Sequence, residues 1–429
     1  MSQRLSRRGL LQGAGAGLLL LNCKDSCQPS AAGSDANRAD GAAGDAAGAS
    51  SAAKRDSIRV GLVMTLSGPQ GGIGKELDQG LSLALEQAGM RAGGKTIELL
   101  KRDDKNDPQL GGELAKELVE KEKVDLVVGP SHSHVMLALR NVLHDGKTIL
   151  LNPNAGASAL AGALCSPYIF ATGRMNPLYA EAMGRYLAKK GVKNVAVLAA
   201  NFAAGLDMVQ GFRETFVNEG EGKVVAEILP PLTTTDFSTY LNQLKAVKAD
   251  AVFAFFAGEL AVHFIKQYAQ AGLKGKLPLY VTGYTVEQDV LPAQGEAALG
   301  ILSIGVYSPM LDNETNKQFA PAYKAKYGTY PSEYSVLAYD TGQLMLNAVN
   351  SIGGKIDDKV ALLNALNTTK IESPRGQFKF GPNHTPVQDA YLREVVKAPD
   401  GTLVNKVLAV AWPGYYFPGE GCMLPGVKR

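Results

Sequence analysis

The sequence is short of cysteine, of histidine and of net charge, and each shortage argues against a class of function. Only four cysteines and five histidines occur in 429 residues. None stands in the Cys-x-x-Cys or clustered His/Cys spacing of a zinc site, so we expect no metal. The 44 lysines and arginines nearly balance the 41 aspartates and glutamates, leaving a formal net charge of +3. No dense basic block follows residue 56, which argues against nucleic acid as a partner.

The longest apolar stretch lies at the amino terminus and resembles an export leader. Ser6-Arg7-Arg8-Gly9-Leu10-Leu11, with the Gly/Ala/Leu stretch that runs on to Leu21, resembles a twin-arginine signal and is too short to span a bilayer comfortably. Leu20-Leu21-Asn22-Cys23 resembles a bacterial lipoprotein cleavage box, although Asn22 stands where a small residue is normal. We assign residues 1–27 to the leader and expect lipidation at Cys23. An ordinary soluble leader with a ragged mature start is the alternative.

A flexible tether follows the leader. Residues 28–55 are almost wholly Ala, Gly, Ser and Asp, a composition that cannot bury enough apolar surface to offset the entropy of ordering. We therefore assign residues 28–56 to a disordered tether. Its position suits a periplasmic or extracytoplasmic protein that touches the membrane only through a lipid anchor.

Strand and helix patterns alternate through the remaining residues, about 370 in number, which are enough for two cores. The strand runs are apolar on both faces, as is typical of parallel strands covered by helices. The sequence therefore predicts an α/β fold of two doubly wound lobes joined by a multi-strand hinge. We assign residues 57–175 plus 308–383 to lobe 1 and residues 176–307 plus 384–429 to lobe 2. The strand runs are 58–66, 97–100, 124–128, 148–151, 194–200, 224–229, 251–256 and 279–282, and residues 314–327 and 334–368 are among the helical patterns.

The first crossover points to the capture of a small molecule. An apolar strand ends in a glycine-rich turn, and a helical pattern follows from Gly74 to Ala88. Ligands of α/β proteins sit beyond the carboxyl ends of parallel strands. The turn lacks both the Lys-Ser/Thr pair and the dinucleotide glycine spacing, which argues against a phosphate cradle. We expect no cofactor.

Several segments, taken in order, resemble the periplasmic binding proteins of the branched-chain amino acid (Leu/Ile/Val-binding) class, over about residues 57–410. The resemblance implies a type I binding protein that closes two lobes on a solute. Such a protein presents the solute, chemically unchanged, to the permease and ATPase subunits of an ABC importer. It also implies a monomer. The segments are Leu66-Ser67-Gly68-Pro69 with Gly74, Val128 to Ser133, Asn152 to Ala157, Ser166 to Thr172, Gly258 through Gly272, and Gly283 to Gly300.

The resemblance places the ligand carboxylate against two loops of lobe 1. In this family the loop after the third strand and the following Asn-Pro-type loop hold it with hydroxyls and backbone N–H groups. Uncharged donors of that kind bind an anion without burying a cation. The matching positions are Ser131, His132, Ser133, Asn154, Ala155 and Gly156. For His132 and His134 the alternative to a ligand contact is a purely structural role.

The grip that the family's amino-acid binders place on the ligand ammonium is absent at the matching positions. These carry Ile73, Ala204, Ala257, Gly258 and Gly283, with no acidic residue among them. Small residues also enlarge the pocket, and the candidate ring faces are Phe202, Phe255, Phe256 and Tyr284. Of the two neighbouring phenylalanines we choose Phe256, which stands nearest the strand end, and expect Phe255 in the core. This combination favours an aromatic or other bulky acid over leucine or valine and resembles the aromatic-acid-binding branch. A branched-chain or other amino acid, or an amide, is the alternative, with Glu259 or Glu287 as its amine anchor.

Two other classes of function remain open on the sequence. Ser131, His132 and His134 suggest a nucleophile and base of an exported hydrolase, but no Gly-x-Ser-x-Gly elbow occurs and no orienting acid stands beside them. A ligand-sensing lipoprotein of a signalling system would use the same cleft. We expect a binding protein and not an enzyme.

Two cysteines lie outside the leader. In an oxidising compartment Cys165 and Cys422 could pair and fasten the carboxyl-terminal tail, or they could be two separate buried thiols.

Overall fold

The computed structural model describes residues 55–427, so the predicted leader, Cys23 and most of the predicted tether lie outside the described residues. Two sheets, each with helices packed on it, confirm the predicted α/β fold. The strands of the first sheet are β1 (Ser57–Met64), β2 (Arg91–Ala92), β3 (Lys95–Asp103), β4 (Leu126–Val128), β5 (Ile149–Asn152) and β6 (Ile169–Ala171). Those of the second are β7 (Asn194–Ala199), β8 (Lys223–Ile228), β9 (Ala251–Phe255), β10 (Leu279–Thr282), β11 (Leu302–Gly305), β12 (Phe378–Phe380), β13 (Pro386–Lys397) and β14 (Leu403–Tyr416).

Both sheets are doubly wound. The first has the order β2-β3-β1-β4-β5-β6, in which all pairs but the β2–β3 hairpin are parallel. The second has the order β12-β13-β11-β10-β9-β7-β8, with β14 paired to β13. Its strands from β7 to β11 are parallel, whereas β13 runs antiparallel to its neighbours. Strands β4, β5 and β9 are buried at every residue, as expected of strands covered on both faces.

Eleven α-helices occur in the described part of the chain, and several begin with a side-chain cap. Asp107 accepts hydrogen bonds from the Gln109 and Leu110 amides, and Ser332 accepts one from the Ser335 amide, so orphan N–H groups at two helix starts are satisfied. The helices are α1 (Gly71–Gln87), α2 (Pro108–Glu120), α3 (Ser133–Asp145), α4 (Pro177–Lys189), α5 (Ala203–Arg213), α6 (Ser238–Ala246), α7 (Gly258–Gln270), α8 (Leu291–Gln294), α9 (Glu314–Tyr327), α10 (Glu333–Ser351) and α11 (Lys359–Thr368).

Helix α10 returns to the first lobe although it follows the second series of strands. It packs along α1 because glycines allow the two backbones to approach. A Cβ at Gly80 would stand 1.9 Å from the Ser335 carbonyl oxygen, and one at Gly342 would stand 2.7 Å from the Ala84 Cβ. The predicted helical stretch 334–368 is interrupted after α10, where Gly353 and Gly354 adopt positive φ angles of 59° and 71° that favour glycine.

The chain crosses between the lobes several times, and a buried ion pair joins the crossings. Arg375 Nε lies 2.7 Å from an Asp340 carboxylate oxygen, and its other nitrogens donate to the carbonyls of Thr172 and Gly173. Both members of the pair are fully buried. Two crossing segments, at residues 172–173 and at Arg375, thus meet helix α10 at one guanidinium within the hinge between the lobes.

Two segments belong to a different lobe from the one to which we assigned them. Strand β12 pairs with β13 in the second sheet, although it falls within the range 308–383 that we assigned to lobe 1. The end of the tail packs on lobe 1, where a Cβ at Gly419 would stand 2.4 Å from the Ala161 carbonyl carbon and one at Gly162 would stand 2.3 Å from the Glu420 carbonyl oxygen. A disulfide joins Cys165 to Cys422, with the Cα atoms 5.6 Å apart. Both departures arise from long-range pairing that local apolar patterns do not encode.

Candidate functional site between the lobes

A small cavity, about 20 Å³ in volume, lies where the carboxyl ends of the two sheets face each other. Nine of the twelve predicted ligand-binding residues line it, namely Ile73, Ser131, His132, Ser133, Asn154, Ala155, Phe202, Ala204 and Tyr284. Asn176, Phe255 and Ala257 complete the lining. The structure therefore brings residues from both lobes together at one site.

Three predicted residues lie outside the lining. Phe256 packs in the second-lobe core, with its ring 4.6 Å from that of Phe264. Gly156 lies behind the wall, where a Cβ would meet the Arg174 carbonyl oxygen at 2.3 Å. Gly258 begins α7 at the lip and faces the side chain of Gln70.

Phe255, and not Phe256, presents its ring to the cavity. Strand β9 is buried on both faces, so its apolar run carries no alternation to show which ring faces the cleft. Successive side chains point to opposite faces of a strand, and an error of one residue selects the wrong ring. No sequence pattern singled out Asn176 as a binding residue, because it lies in the segment that crosses from β6 to α4.

Helix starts surround the cavity. Ile73, Ser133 and Ala204 lie in the first turns of α1, α3 and α5, and Ala257 precedes α7. The amino-terminal end of a helix carries unpaired N–H groups and a partial positive charge. None of the lining residues is an aspartate, glutamate, lysine or arginine. The helix starts therefore favour a negative group, and the lining offers an ammonium no charged partner.

Ser131 and Ser133, on the lobe 1 side of the cavity, have hydroxyl protons available for a ligand. Ser131 Oγ accepts from the Thr65 amide at 3.1 Å, and its own proton has only the distant Met64 sulfur, at 3.9 Å. Ser133 Oγ accepts from Asn176 Nδ2 at 3.1 Å. Each hydroxyl has one donor and two acceptor lone pairs, so both can donate into the cavity.

The loop after β5 is braced by Asn152. Its side chain accepts from the amides of Asn154 and Ala155 at 3.2 and 2.8 Å and donates to the Ala155 carbonyl at 2.7 Å. Asn154 in turn donates through Nδ2 to the Ser131 carbonyl at 2.5 Å. The two loops that the resemblance assigned to the carboxylate are thus hydrogen-bonded to each other.

His132 is buried and neutral. Burial, with a smaller contribution from the neighbouring His134, lowers the pKa of His132 to about 3. Its Nδ1 lies 3.1 Å from Thr65 Oγ1, which lies 2.6 Å from an Asp104 carboxylate oxygen. His134 does not line the cavity; its Nε2 lies 3.2 Å from the Asn106 carbonyl oxygen, and its ring meets the edge of Phe202.

Aromatic rings form the opposite wall. The centroids of Phe202 and Phe255 lie 5.9 Å apart in a stacked arrangement, and Tyr284 meets Phe255 edge-on at 5.4 Å. The guanidinium of the buried Arg174 lies 4.4 Å from the centroid of the Tyr284 ring. Neither proposed amine anchor lines the cavity, because Glu259 is exposed and Glu287 is buried beside Arg393 at 3.2 Å.

Contacts across the mouth hold the lobes together. Gln70 Nε2 in lobe 1 donates to the Ala257 carbonyl at 3.3 Å. Asp207 on α5 accepts from the Ser158 amide at 3.0 Å and from Asn176 Nδ2 at 2.9 Å. Burial raises the pKa of Asp207, and these hydrogen bonds oppose the rise. The structure is accordingly a closed arrangement of the two lobes.

A larger cavity, about 540 Å³, opens beside the tail and has the opposite character. Four carboxylates line it, those of Glu181, Asp207, Glu214 and Glu420. These would repel an anion. Among residues 55–427 no group of three or more His, Cys, Asp or Glu side chains is placed to hold a metal ion.

Comparison with known proteins gives the family. Residues 57–401 match the family described as periplasmic binding protein. Leu/Ile/Val-binding protein homolog 6 of Brucella melitensis is 33% identical over 365 residues, which cover 83% of this chain and 92% of that protein.

Three solved structures share the fold over most of their length. A solute-binding protein of an ABC transporter from R. palustris, in complex with benzoate, is 34% identical with a TM-score of 0.81, covering 86% of this chain and 100% of that one. One from Rhodopseudomonas palustris BisB5, in complex with 3,4-dihydroxybenzoic acid, is 33% identical with a TM-score of 0.80, covering 85% and 99%. A branched-chain amino acid transporter substrate-binding protein from Streptococcus pneumoniae, in complex with isoleucine, is 25% identical with a TM-score of 0.71, covering 82% and 99%.

No helix within residues 55–427 has the length and apolar character needed to cross a membrane. The family match spans most of the described chain and agrees with the two-lobe fold. It also confirms the predictions of the resemblance and of a protein that is not an enzyme. The chain belongs to the periplasmic binding protein family, as a solute-binding protein of the ABC-transporter type.

Proposed function

We propose that this protein binds an aromatic carboxylic acid between its lobes and hands it unchanged to the permease of an ABC importer. The observation that carries the proposal is the division of one cavity into two walls. Ser131, Ser133 and the start of α3 supply uncharged donors on one side, and Phe202, Phe255 and Tyr284 supply rings on the other. The neighbours from R. palustris with benzoate and 3,4-dihydroxybenzoic acid support the same ligand class.

The carboxylate is assigned to the lobe 1 wall. A hydroxyl or amide donor gives a charge-assisted hydrogen bond to an anion, which is roughly twice as strong as a neutral one. Helix starts add a favourable field without a buried cation that would itself need a partner. Ser131, Ser133, Asn154, Ala155 and His132 are the residues we propose to contact or shape this end of the ligand.

The ring is assigned to the lobe 2 wall. Aromatic pairs prefer offset-stacked or edge-to-face arrangements, and the rings of Phe202, Phe255 and Tyr284 already adopt such arrangements with one another. Ala204 and Ala257 leave room where a larger side chain would fill the cleft. The wall holds no carboxylate, so an α-ammonium would be buried without a charged partner.

Binding acts through closure of the lobes. A ligand shifts the open-to-closed equilibrium by no more than its differential affinity for the two states. The contacts from Gln70 to Ala257 and from Ser158 to Asp207 form only when the lobes meet. The closed form is the species that we propose the permease recognises.

A ligand panel tests the proposal. Thermal shift of the purified protein with benzoate, hydroxybenzoates, leucine, isoleucine and short diacids ranks the classes by stabilisation. We expect an aryl carboxylate to raise the melting temperature most. The reverse order, with leucine or isoleucine ahead, would support the second candidate, an amino-acid receptor, which the isoleucine complex from Streptococcus pneumoniae favours.

Ser133→Ala is expected to weaken aryl carboxylate binding by about 1–3 kcal/mol, because a buried charge-assisted hydrogen bond is lost. Isothermal titration calorimetry measures the change. Ser351→Ala, an exposed serine at the end of α10, is the matched control and should leave affinity unchanged. Unchanged affinity in Ser133→Ala would remove Ser133 from the site.

The place of action is also a proposal. We propose that the leader exports the chain and that Cys23 carries the lipid anchor, so that the folded lobes work as a monomer outside the cytoplasm. Mass spectrometry of the mature protein tests the anchor, since an unmodified amino terminus beyond Cys23 would contradict it. A neighbouring histidine-kinase gene in place of permease and ATPase genes would favour the sensing alternative.

A further inference from the structure

Arg174, Arg375 and Arg393 are fully buried arginines that differ in the negative charge each one finds. Arg375 lies 2.7 Å from an Asp340 carboxylate oxygen, and Arg393 lies 3.0 Å from one of Glu333. Arg174 is 1% exposed, and none of the ion pairs within residues 55–427 includes it. Buried charges in proteins are paired as a rule. The position of Arg174 therefore calls for an anion from outside the described chain.

The contacts of Arg174 place its charge directly behind the cavity. The residue lies in the segment that crosses from β6 to α4, and its Nη1 donates to the Asn154 carbonyl at 2.5 Å. The guanidinium lies 4.4 Å from the centroid of the Tyr284 ring. Asn154 lines the cavity from lobe 1 and Tyr284 lines it from lobe 2. Arg174 thus touches both walls from one side-chain layer away, and its Nη2 has no hydrogen-bond partner in the described part of the chain.

One carboxylate reaches Arg174 indirectly, and it is already shared. Arg174 Nε donates to the Tyr179 hydroxyl at 2.6 Å, and that hydroxyl donates to a Glu333 carboxylate oxygen at 2.7 Å. The other oxygen of Glu333 pairs with Arg393 at 3.0 Å. Burial raises the pKa of Glu287, the second carboxyl group beside Arg393, to about 8, so Glu287 is mostly protonated near pH 7. Two guanidiniums therefore share one carboxylate, which leaves this buried group with a surplus of positive charge.

We infer that Arg174 supplies the counter-charge for the ligand's carboxylate from behind the cavity wall, and that it thereby sets the preference for an anion over a neutral ligand of the same shape. The inference rests on the proposed function and deepens it by naming a residue that determines specificity. Charges interact more strongly in a low-dielectric interior than in water. A cation one layer away therefore attracts the carboxylate without donating to it, and Ser131 and Ser133 remain the donors.

A purely structural role for Arg174 is the alternative. The residue would then only brace the crossing segment through its hydrogen bonds to Asn154 and Tyr179. Its loss would weaken the binding of charged and neutral ligands alike. The two roles differ in the ratio of the affinities for an acid and for its amide, because the amide keeps the ring and the carbonyl oxygen but carries no charge.

Calorimetric titration with benzoate and benzamide, and with 4-hydroxybenzoate and its amide, measures this ratio, with a weakly binding amide titrated in competition. We expect the wild-type protein to bind the better of the two acids at least 100-fold more tightly than the corresponding amide. If an acid binds but its amide binds within threefold of it, the inference is wrong while the proposed function stands. If neither acid binds, the proposed function fails and this inference with it.

Two substitutions should change the ratio in opposite directions. Arg174→Gln should lower it tenfold or more, chiefly by weakening the binding of the acid. Glu333→Gln should raise it threefold or more, because it removes the carboxylate that Arg174 shares with Arg393. Arg185→Gln is the control, since Arg185 lies on α4 outside the cavity, 3.6 Å from the centroid of the Trp412 ring, and should keep the ratio within twofold.

The opposite signs distinguish a field from a brace even where one of the variants folds poorly. Circular dichroism identifies the folded variants, either substitution is then decisive by itself, and the wild-type ratio needs no variant. A ratio within threefold of wild type in Arg174→Gln, or a ratio that does not rise in Glu333→Gln, would assign Arg174 to bracing the fold and overturn the inference.

Discussion

Arg393→Met is expected to lower the free energy of unfolding by about 3–5 kcal/mol, the range typical when one partner of a buried ion pair is removed. Arg393 is 0% exposed and lies 3.0 Å from a Glu333 carboxylate oxygen and 3.2 Å from one of Glu287. It also donates to the Tyr307 carbonyl. Its loss leaves two buried carboxyl groups without their cation.

Glu287 and Glu333 differ in how much their pairing with Arg393 stabilises the fold. Burial raises the pKa of Glu287 to about 8, and the attraction of Arg393 does not offset it. Burial alone would lower the pKa of Arg393, but the attraction of Glu333 and Glu287 outweighs burial, so the pKa is raised. Glu333 accepts in addition from the Val306 amide and from Tyr179, both at 2.7 Å. We therefore assign most of the expected loss to the pairing with Glu333.

Urea denaturation monitored by circular dichroism measures the effect. Arg213→Met is the control, because Arg213 forms an exposed ion pair with Glu227 at 2.8 Å and exposed pairs contribute about 0–1 kcal/mol. Arg393→Met/Glu333→Gln should recover part of the loss, since it no longer buries an unpaired carboxylate. A loss below about 1.5 kcal/mol in Arg393→Met would contradict the expected role of the pair.

Ala204→Trp is expected to weaken binding of the favoured aromatic acid by 100-fold or more, equivalent to about 2.7 kcal/mol. Ala204 lies in the first turn of α5, is buried and lines a cavity of about 20 Å³. Close-packed interiors do not absorb a group as large as an indole. The lobes must stay apart to accommodate it, and the ligand then loses the wall that encloses it.

Leu206→Trp is the matched control for the indole itself. Leu206 lies on the same helix and is 49% exposed, so the larger ring projects to solvent and affinity should change by less than threefold. Calorimetry gives the affinities, and small-angle scattering with ligand reports whether the lobes close. Wild-type affinity in Ala204→Trp would show that the ligand binds outside this cavity.

Much of the site follows from motif position and local chemistry. The family resemblance singled out Ser131, His132 and Ser133 after one short apolar strand and Asn154 and Ala155 after the next. The rule for parallel strands then places both loops at one edge of the sheet. The sequence showed equally that Ala204 and Ala257, and not acidic residues, stand at the positions that match the family's grip on an ammonium. Phe255 was not, because a strand buried on both faces has no polar side to mark its direction.

The local order of the amino acids settled the alternation of strands and helices, the glycine-rich first turn and the uncharged loops at the strand ends, because each depends on neighbours within a few residues. Tertiary packing decided which ring of β9 faces the cleft, whether Cys165 and Cys422 pair, and the return of the tail to lobe 1. It also created the buried charges of Arg375 and Arg393, whose partners lie 35 to 106 residues away in the chain. Such pairings are set by the whole fold, since only there do distant segments exclude water together.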